Sequence, residues 1–219
     1  MRLARLLLGL SLLTLAAVEV PQAFAKKNAD TSSSAASTLP KIEMTGITEF
    51  DSVFSKAKTI QDSLDTAYTE LTTSRTNLNT SLGVATDAPL KTALEDLKTK
   101  ANGKISVAMD GAMPSLKVAD DAPENVKTGV TGVNGVISSG GKAVTTAKDL
   151  VPQTQELVSA VTAFPAQVKN LASDPMAAIK ALKVVTSNSK AITGFPGQIT
   201  AITGEVEAMF SDIKAAFSS

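Results

Sequence analysis

The chain has 219 residues, with 21 basic and 21 acidic side chains, 4% aromatic residues, and no His, Cys or Trp. Without His and Cys, Ser–His–Asp and Cys–His catalysis, disulfides and nearly all zinc or copper sites are excluded. The balanced charge leaves no basic excess to grip a phosphate backbone, so nucleic acid is not an expected partner.

The first 25 residues read as a secretory signal peptide. Arg2 and Arg5 form a basic start, residues 6–18 are uncharged and leucine-rich, Pro21 interrupts, and Ala23-Phe24-Ala25 supplies a small-x-small cleavage pattern before Lys26. The competing reading is a membrane anchor, but the uncharged run between Arg5 and Glu19 falls short of the roughly 20 residues a bilayer span needs. With no Cys there is no lipid attachment through a cleavage-site thiol. Arg2 and Arg5 are not adjacent, as a twin-arginine signal requires. The expected location is the periplasm or the exterior of a bacterial cell. Residues 26–44 begin with a run of Ser, Ala, Thr and Lys without periodicity, and read as a disordered tether.

Residues 45–219 read as one all-α domain, an elongated antiparallel bundle of four to five long helices. Phe50, Val53, Ala57, Ile60, Leu64, Ala67, Leu71 and Leu78 fit a three-then-four repeat, as do Ile192, Phe195, Ile199, Ile202, Val206, Met209 and Ile213. This is the spacing of helices packed along one another in coiled-coil fashion. The first helix is expected to start near Thr48, at capping-box distance from Asp51, and to stop at Gly83. Asp87-Ala88-Pro89, Asp121-Ala122-Pro123 and Asp174-Pro175 place three more starts near 88, 122 and 174, with Asp as the cap. The second helix is expected to run through Ile105 and Ala108 to about Ala112, to end at Met113-Pro114-Ser115, and to be followed by a loop at 117–120. No strand is expected.

The later helices carry breakers. Gly140, Gly141, Pro152, Pro165 and Pro196 are candidate hinges, because interior Gly costs about 1 kcal/mol and interior Pro about 3 kcal/mol in a helix. Phe164-Pro165-Ala166-Gln167-Val168 recurs as Phe195-Pro196-Gly197-Gln198-Ile199. Two kinks at matching heights would let two helices curve around one core, and a functional hinge is the alternative.

No constellation supports an enzyme. Asp120, Asp121 and Glu124 cluster at a helix start, where capping and dipole complementarity explain them. Gly129, Gly132 and Gly135 have the wrong spacing for a dinucleotide loop, and Gly141-Lys142 lacks the Ser/Thr of a phosphate loop. No calcium-loop spacing occurs, and no cofactor or metal is expected. What remains are surfaces. Residues 129–141, 157–168 and 191–204 lack charge. Either they are buried on several sides, or they meet another protein, a second copy or lipid. Gly129, Val130, Gly132, Val133, Gly135 and Ile137 form the candidate contact segment. None of these segments is apolar enough to span a bilayer, and no basic amphipathic face for anionic lipid is expected.

Two functions follow as expectations. The first is an exported, non-catalytic helical interaction or structural protein that contacts a partner or itself. The second is a membrane-active or lipid-binding protein. Long exported helices with an uncharged glycine-rich stretch at 129–141 resemble, in architecture, α-helical pore-forming toxins. Amphipathic helices punctuated by Pro152, Pro165 and Pro196 resemble exchangeable apolipoproteins. Mass spectrometry of protein isolated from cells should give an N-terminus at Lys26; an N-terminus at Met1 would contradict the leader.

Overall fold

The computed structural model describes residues 39–111, 113–171 and 175–218. The expected signal peptide and residues 26–38 lie outside them. In chain order the described elements are α1 (Thr48–Leu82), α2 (Leu90–Ala101), β1 (Ile105–Asp110), β2 (Met113–Val118), α3 (Glu124–Val161), α4 (Phe164–Leu171) and α5 (Pro175–Phe217). The fold is mostly helical, and α3 packs along both α1 and α5.

The first helix has the bounds its sequence implies. Gly83 takes φ 71°, and the Gly83 and Val84 N–H groups close onto the carbonyls of Thr80 and Asn79. That satisfies carbonyls the last turn would otherwise leave open. The start differs in detail. Ile47 is the cap, without a side-chain bond, and the Asp51 carboxylate reaches back to the N–H groups of Thr45 (2.7 Å) and Gly46 (2.9 Å). Phe50, Ala57, Ile60, Leu64, Ala67, Leu71 and Leu78 are buried, while Phe54 takes the interior place expected of Val53.

The all-α expectation needs a correction between 102 and 118. Here α2 ends at Ala101, because Asn102 (φ 46°) and Gly103 (φ 80°) both adopt the left-handed region and turn the chain out of the helix. Ile105 and Ala108 therefore lie in a strand. Residues 113–115 open β2 rather than close a helix, and Lys117 and Val118 are strand rather than loop. The strands pair antiparallel with Ile105 opposite Val118 and Asp110 opposite Met113. Asp110-Gly111, with Gly111 at φ 60°, begins the tight turn between them. Pro114 is tolerated because each strand of a two-stranded sheet has an outer edge.

Helices α2 and α3 start two residues after the expected positions, at Leu90 and Glu124. Pro89 and Pro123 occupy the caps, and neither makes a side-chain cap bond. Asp121 instead pairs with the Lys104 ammonium at 2.9 Å. Asp174 lies outside the described residues. The chain is helical without interruption through Gly140 and Gly141 in α3, and through Gly194, Pro196 and Gly197 in α5. The two candidate glycine hinges are therefore helix interior. Pro152 and Pro196 also sit inside helices, whereas Pro165 follows an actual break at 162–163 and opens α4. All three proline rings are exposed, where they displace no core side chain. The repeated Phe-Pro pairs thus occupy unlike positions, although both phenylalanines are buried. Phe164 packs against Phe50 and Phe54, with ring centroids at 4.7 and 5.7 Å.

Four glycines of α3 are packing sockets. A Cβ at Gly129 would stand 2.6 Å from Leu97 Cδ1 and 2.8 Å from Leu82 Cδ2; one at Gly132 would be 2.9 Å from Leu78 Cδ1. At Gly140 it would meet Met209 Cε at 2.7 Å, and at Gly141 the Met113 sulfur at 2.6 Å. One helix thereby receives side chains from α1, α2, α5 and β2 directly onto its backbone.

Side-chain amides fasten the non-helical segments. Asn134 on α3 accepts from Leu116 N–H and donates to Leu116 C=O, both at 2.9 Å. Asn188 on α5 does the same to Glu43, at 3.1 and 2.7 Å. Gln61 on α1 accepts from Ile42 N–H and donates to Pro40 C=O, both at 3.0 Å. Asn79 donates to the carbonyls of Thr86 and Ala88. The expected tether is corrected over 39–44: this stretch is held by Gln61 and Asn188, Ile42 is buried, and Leu39 covers Gly194.

Two stability predictions follow. Gly129→Val should destabilise by about 1–3 kcal/mol through overpacking, whereas Gly135→Ala, whose Cβ meets nothing within 4 Å, should stabilise by roughly 0.5–1 kcal/mol; urea titration reads both, and equal effects would contradict the sockets. Asn188→Ala should cost about 1–3 kcal/mol by orphaning two backbone groups and should speed amide exchange at Glu43, with no change at Leu116.

Candidate functional site

The six residues of the candidate contact segment divide by direction. Val130, Val133 and Ile137 are 3%, 0% and 6% exposed, and Gly129 is closed over by Leu82 and Leu97. These four are interior packing, because the apolar stripe of α3 turns toward α1 and α5. As outward contact residues they are corrected. Gly132 and Gly135 differ: they line an open groove of about 310 Å³ between α1 and α3.

The walls of that groove are Ser74, Asn77, Leu78 and Ser81 from α1, and Thr128 and Thr131 from α3. It carries no charged side chain. Beside it the Ser74 and Ser139 hydroxyls bond across the helix pair at 2.7 Å. That contact bridges the two helices. The half-buried Arg75–Glu205 pair, at 3.0 Å, ties α1 to α5. A second groove between α1 and α3, of about 520 Å³, is lined by Thr59, Asp62, Ser63, Thr66, Glu70, Lys142 and Thr146. It is charged where the first is neutral. Several threonine hydroxyls nearby, including Thr66 and Thr131, bond back to the carbonyl four residues earlier in their own helices. Hydroxyls in that arrangement keep acceptor capacity toward the solvent side.

The acidic cluster at the start of α3 is exposed and does not converge on a cavity. A hydrogen bond from the Lys104 ammonium, reinforced by its charge, holds the Asp121 carboxyl below its ordinary range. The Asp65 carboxylate likewise raises the Lys41 ammonium above the usual lysine value by hydrogen bond and charge. Exposed pairs of this kind contribute little to stability and are screened by salt. Among the described residues no three Asp or Glu side chains gather as a metal site, and no helix is long and apolar enough to cross a membrane.

A further surface was not singled out by periodicity. Along the start of α5, Met176 and Ile179 are each 65% exposed and Leu182 is 39% exposed. Lys180 and Lys183 are exposed among them, while Ala181 and Val185 face inward and are buried. The expectation that no basic amphipathic face exists is therefore corrected. The i, i+3, i+6 spacing of Met176, Ile179 and Leu182 is visible in the sequence, but it reads equally as a core stripe. Which side of the helix is covered depends on the elements packed against α5.

Comparison with protein-family models, with curated proteins and with solved structures finds no match.

Proposed function

We propose that this chain is an exported, non-catalytic helical interaction protein of the bacterial envelope or exterior, built as an elongated antiparallel bundle with coiled-coil-like packing, whose groove between α1 and α3 receives a helix of a partner or of a second copy. The observation that carries this reading is the floor of the groove. Gly135 leaves backbone uncovered between walls of Ser, Thr and Asn, an added Cβ there would meet nothing within 4 Å, and beside it Leu78 closes over Gly132. A facing helix with small side chains gains close backbone approach there, and the neutral hydroxyl and amide walls supply hydrogen bonds without the desolvation cost of charge. The export reading rests on the leader pattern at 1–25.

Light scattering and chemical cross-linking of the chain from Lys26 to Ser219 test the reading. Self-association, or capture of one defined partner from envelope extracts, is expected. Gly135→Trp should fill the groove and weaken that association at least about tenfold, equivalent to about 1.4 kcal/mol, with unfolding no more than slightly changed. A chain that stays monomeric at every concentration and retrieves no partner would sink the proposal.

A further inference from the structure

The start of α5 presents an unpartnered face, and its chemistry selects among occupants. Met176, Ile179 and Leu182 project on the outer side of about 9 Å of helix, with Lys180 and Lys183 among them and Lys190 two turns on. Among the described residues none of the three ammonium groups is paired with a carboxylate. Residues 175–204 contain no Asp or Glu, and neither does the adjoining α4. Among the described residues Glu43 is an acid brought to α5 at this level, through its backbone bonds to Asn188, and Asp174, just before the helix, lies outside them. Those bonds fall on the buried side of the helix, away from Met176 and Ile179. The face thus combines exposed apolar side chains with lysines that pair with no described carboxylate, on a helix whose other side is fixed by packing.

We infer that this face docks the protein on an anionic lipid surface, with Met176, Ile179 and Leu182 entering the boundary between headgroups and acyl chains and Lys180 and Lys183 on the lipid phosphates. This goes beyond helix contacts in the groove between α1 and α3 and uses different residues. An amphipathic helix of this composition lies in the interface plane, bound by its apolar area and by attraction to anionic lipid. Lysine stems reach along the apolar row while their ammonium groups stay among the headgroups. A second copy of the chain fits less well. A two-fold contact through this face would set Lys180 and Lys183 of one copy against the same residues of the other. Each lysine near an anionic surface contributes a factor of about five in affinity.

Co-sedimentation of the chain from Lys26 to Ser219 with vesicles tests the inference. Vesicles of phosphatidylglycerol mixed with phosphatidylcholine should bind the protein, vesicles of phosphatidylcholine alone should bind it far more weakly, and added salt should reduce binding. The double variant Lys180→Gln/Lys183→Gln should bind roughly 25-fold more weakly, and Ile179→Glu should abolish binding. Ile179→Ser is a milder companion, and circular dichroism confirms that each variant folds. Gly135→Trp should leave vesicle binding unchanged, which separates this surface from the groove. Absence of binding to the mixed vesicles, or binding that Ile179→Glu does not alter, overturns the inference. So does a concentration-dependent dimer lost in Ile179→Glu while vesicle binding persists, since the face would then be a contact between copies.

Discussion

The close approach of neighbouring side chains to the backbone of α3 is the constraint on which the remaining packing depends. Leu97 and Leu82 at Gly129, Leu78 at Gly132, Met209 at Gly140 and Met113 at Gly141 all stand where a Cβ would have to be. The chain has few aromatic residues with which to fill wider gaps. Its core is instead made of Leu, Val, Ile, Ala and a few Phe, whose small areas stabilise only when they are packed without voids. Glycine in a helix interior costs about 1 kcal/mol each. In α3 that cost is offset by contact with four separate elements, so the same residues that weaken the isolated helix place it at the centre of the fold.

Amide side chains solve the complementary problem of fastening segments that are neither helix nor extended sheet. A backbone N–H and C=O lying against a helix face have no ladder partner, and burying them unpaired would cost about 1–3 kcal/mol apiece. Asn134, Asn188 and Gln61 each supply one acceptor and one donor, which copies the pairing a neighbouring strand would offer. The outer edge of β2 is closed in this way at Leu116. The stretch before α1 is threaded between α1 and α5 by the same means. Two segments with little hydrophobic area of their own are thereby made part of one core.

The surfaces left over follow from this interior. Because the apolar stripe of α3 is consumed by α1 and α5, the side of its first turns that borders α1 offers Thr128, Thr131 and Gly135, and the result is a neutral groove. At the start of α5, Met176 and Ile179 remain in solvent beside lysines. The groove and the face differ in charge, in depth and in the side chains they offer.

Much of the architecture was legible in the residues themselves. The bounds of α1 follow from its apolar spacing and from Gly83, and the burial of Ile192, Phe195, Ile199, Ile202, Val206, Met209 and Ile213 follows from theirs. The hairpin was legible too, in Asn102-Gly103, Asp110-Gly111 and the alternation of Ile105, Val107 and Met109. The run of Leu90, Leu94, Leu97 and Ala101 overrides that alternation when helix spacing is extended past its stop signal. The helix also runs unbroken through Gly140 and Gly141, for a different reason. Composition reports the intrinsic cost of glycine, and only the neighbouring Val206, Met209 and Phe210 show what offsets it. The directions of Val133, Gly135 and Ile179 were beyond the sequence for the same cause. Local spacing and turn chemistry determine which residues share a helix face, because they act within a few residues of one chain. Whether that face meets a neighbour or water was decided by the tertiary structure, because it depends on elements such as α4 and β2 that lie elsewhere in the chain.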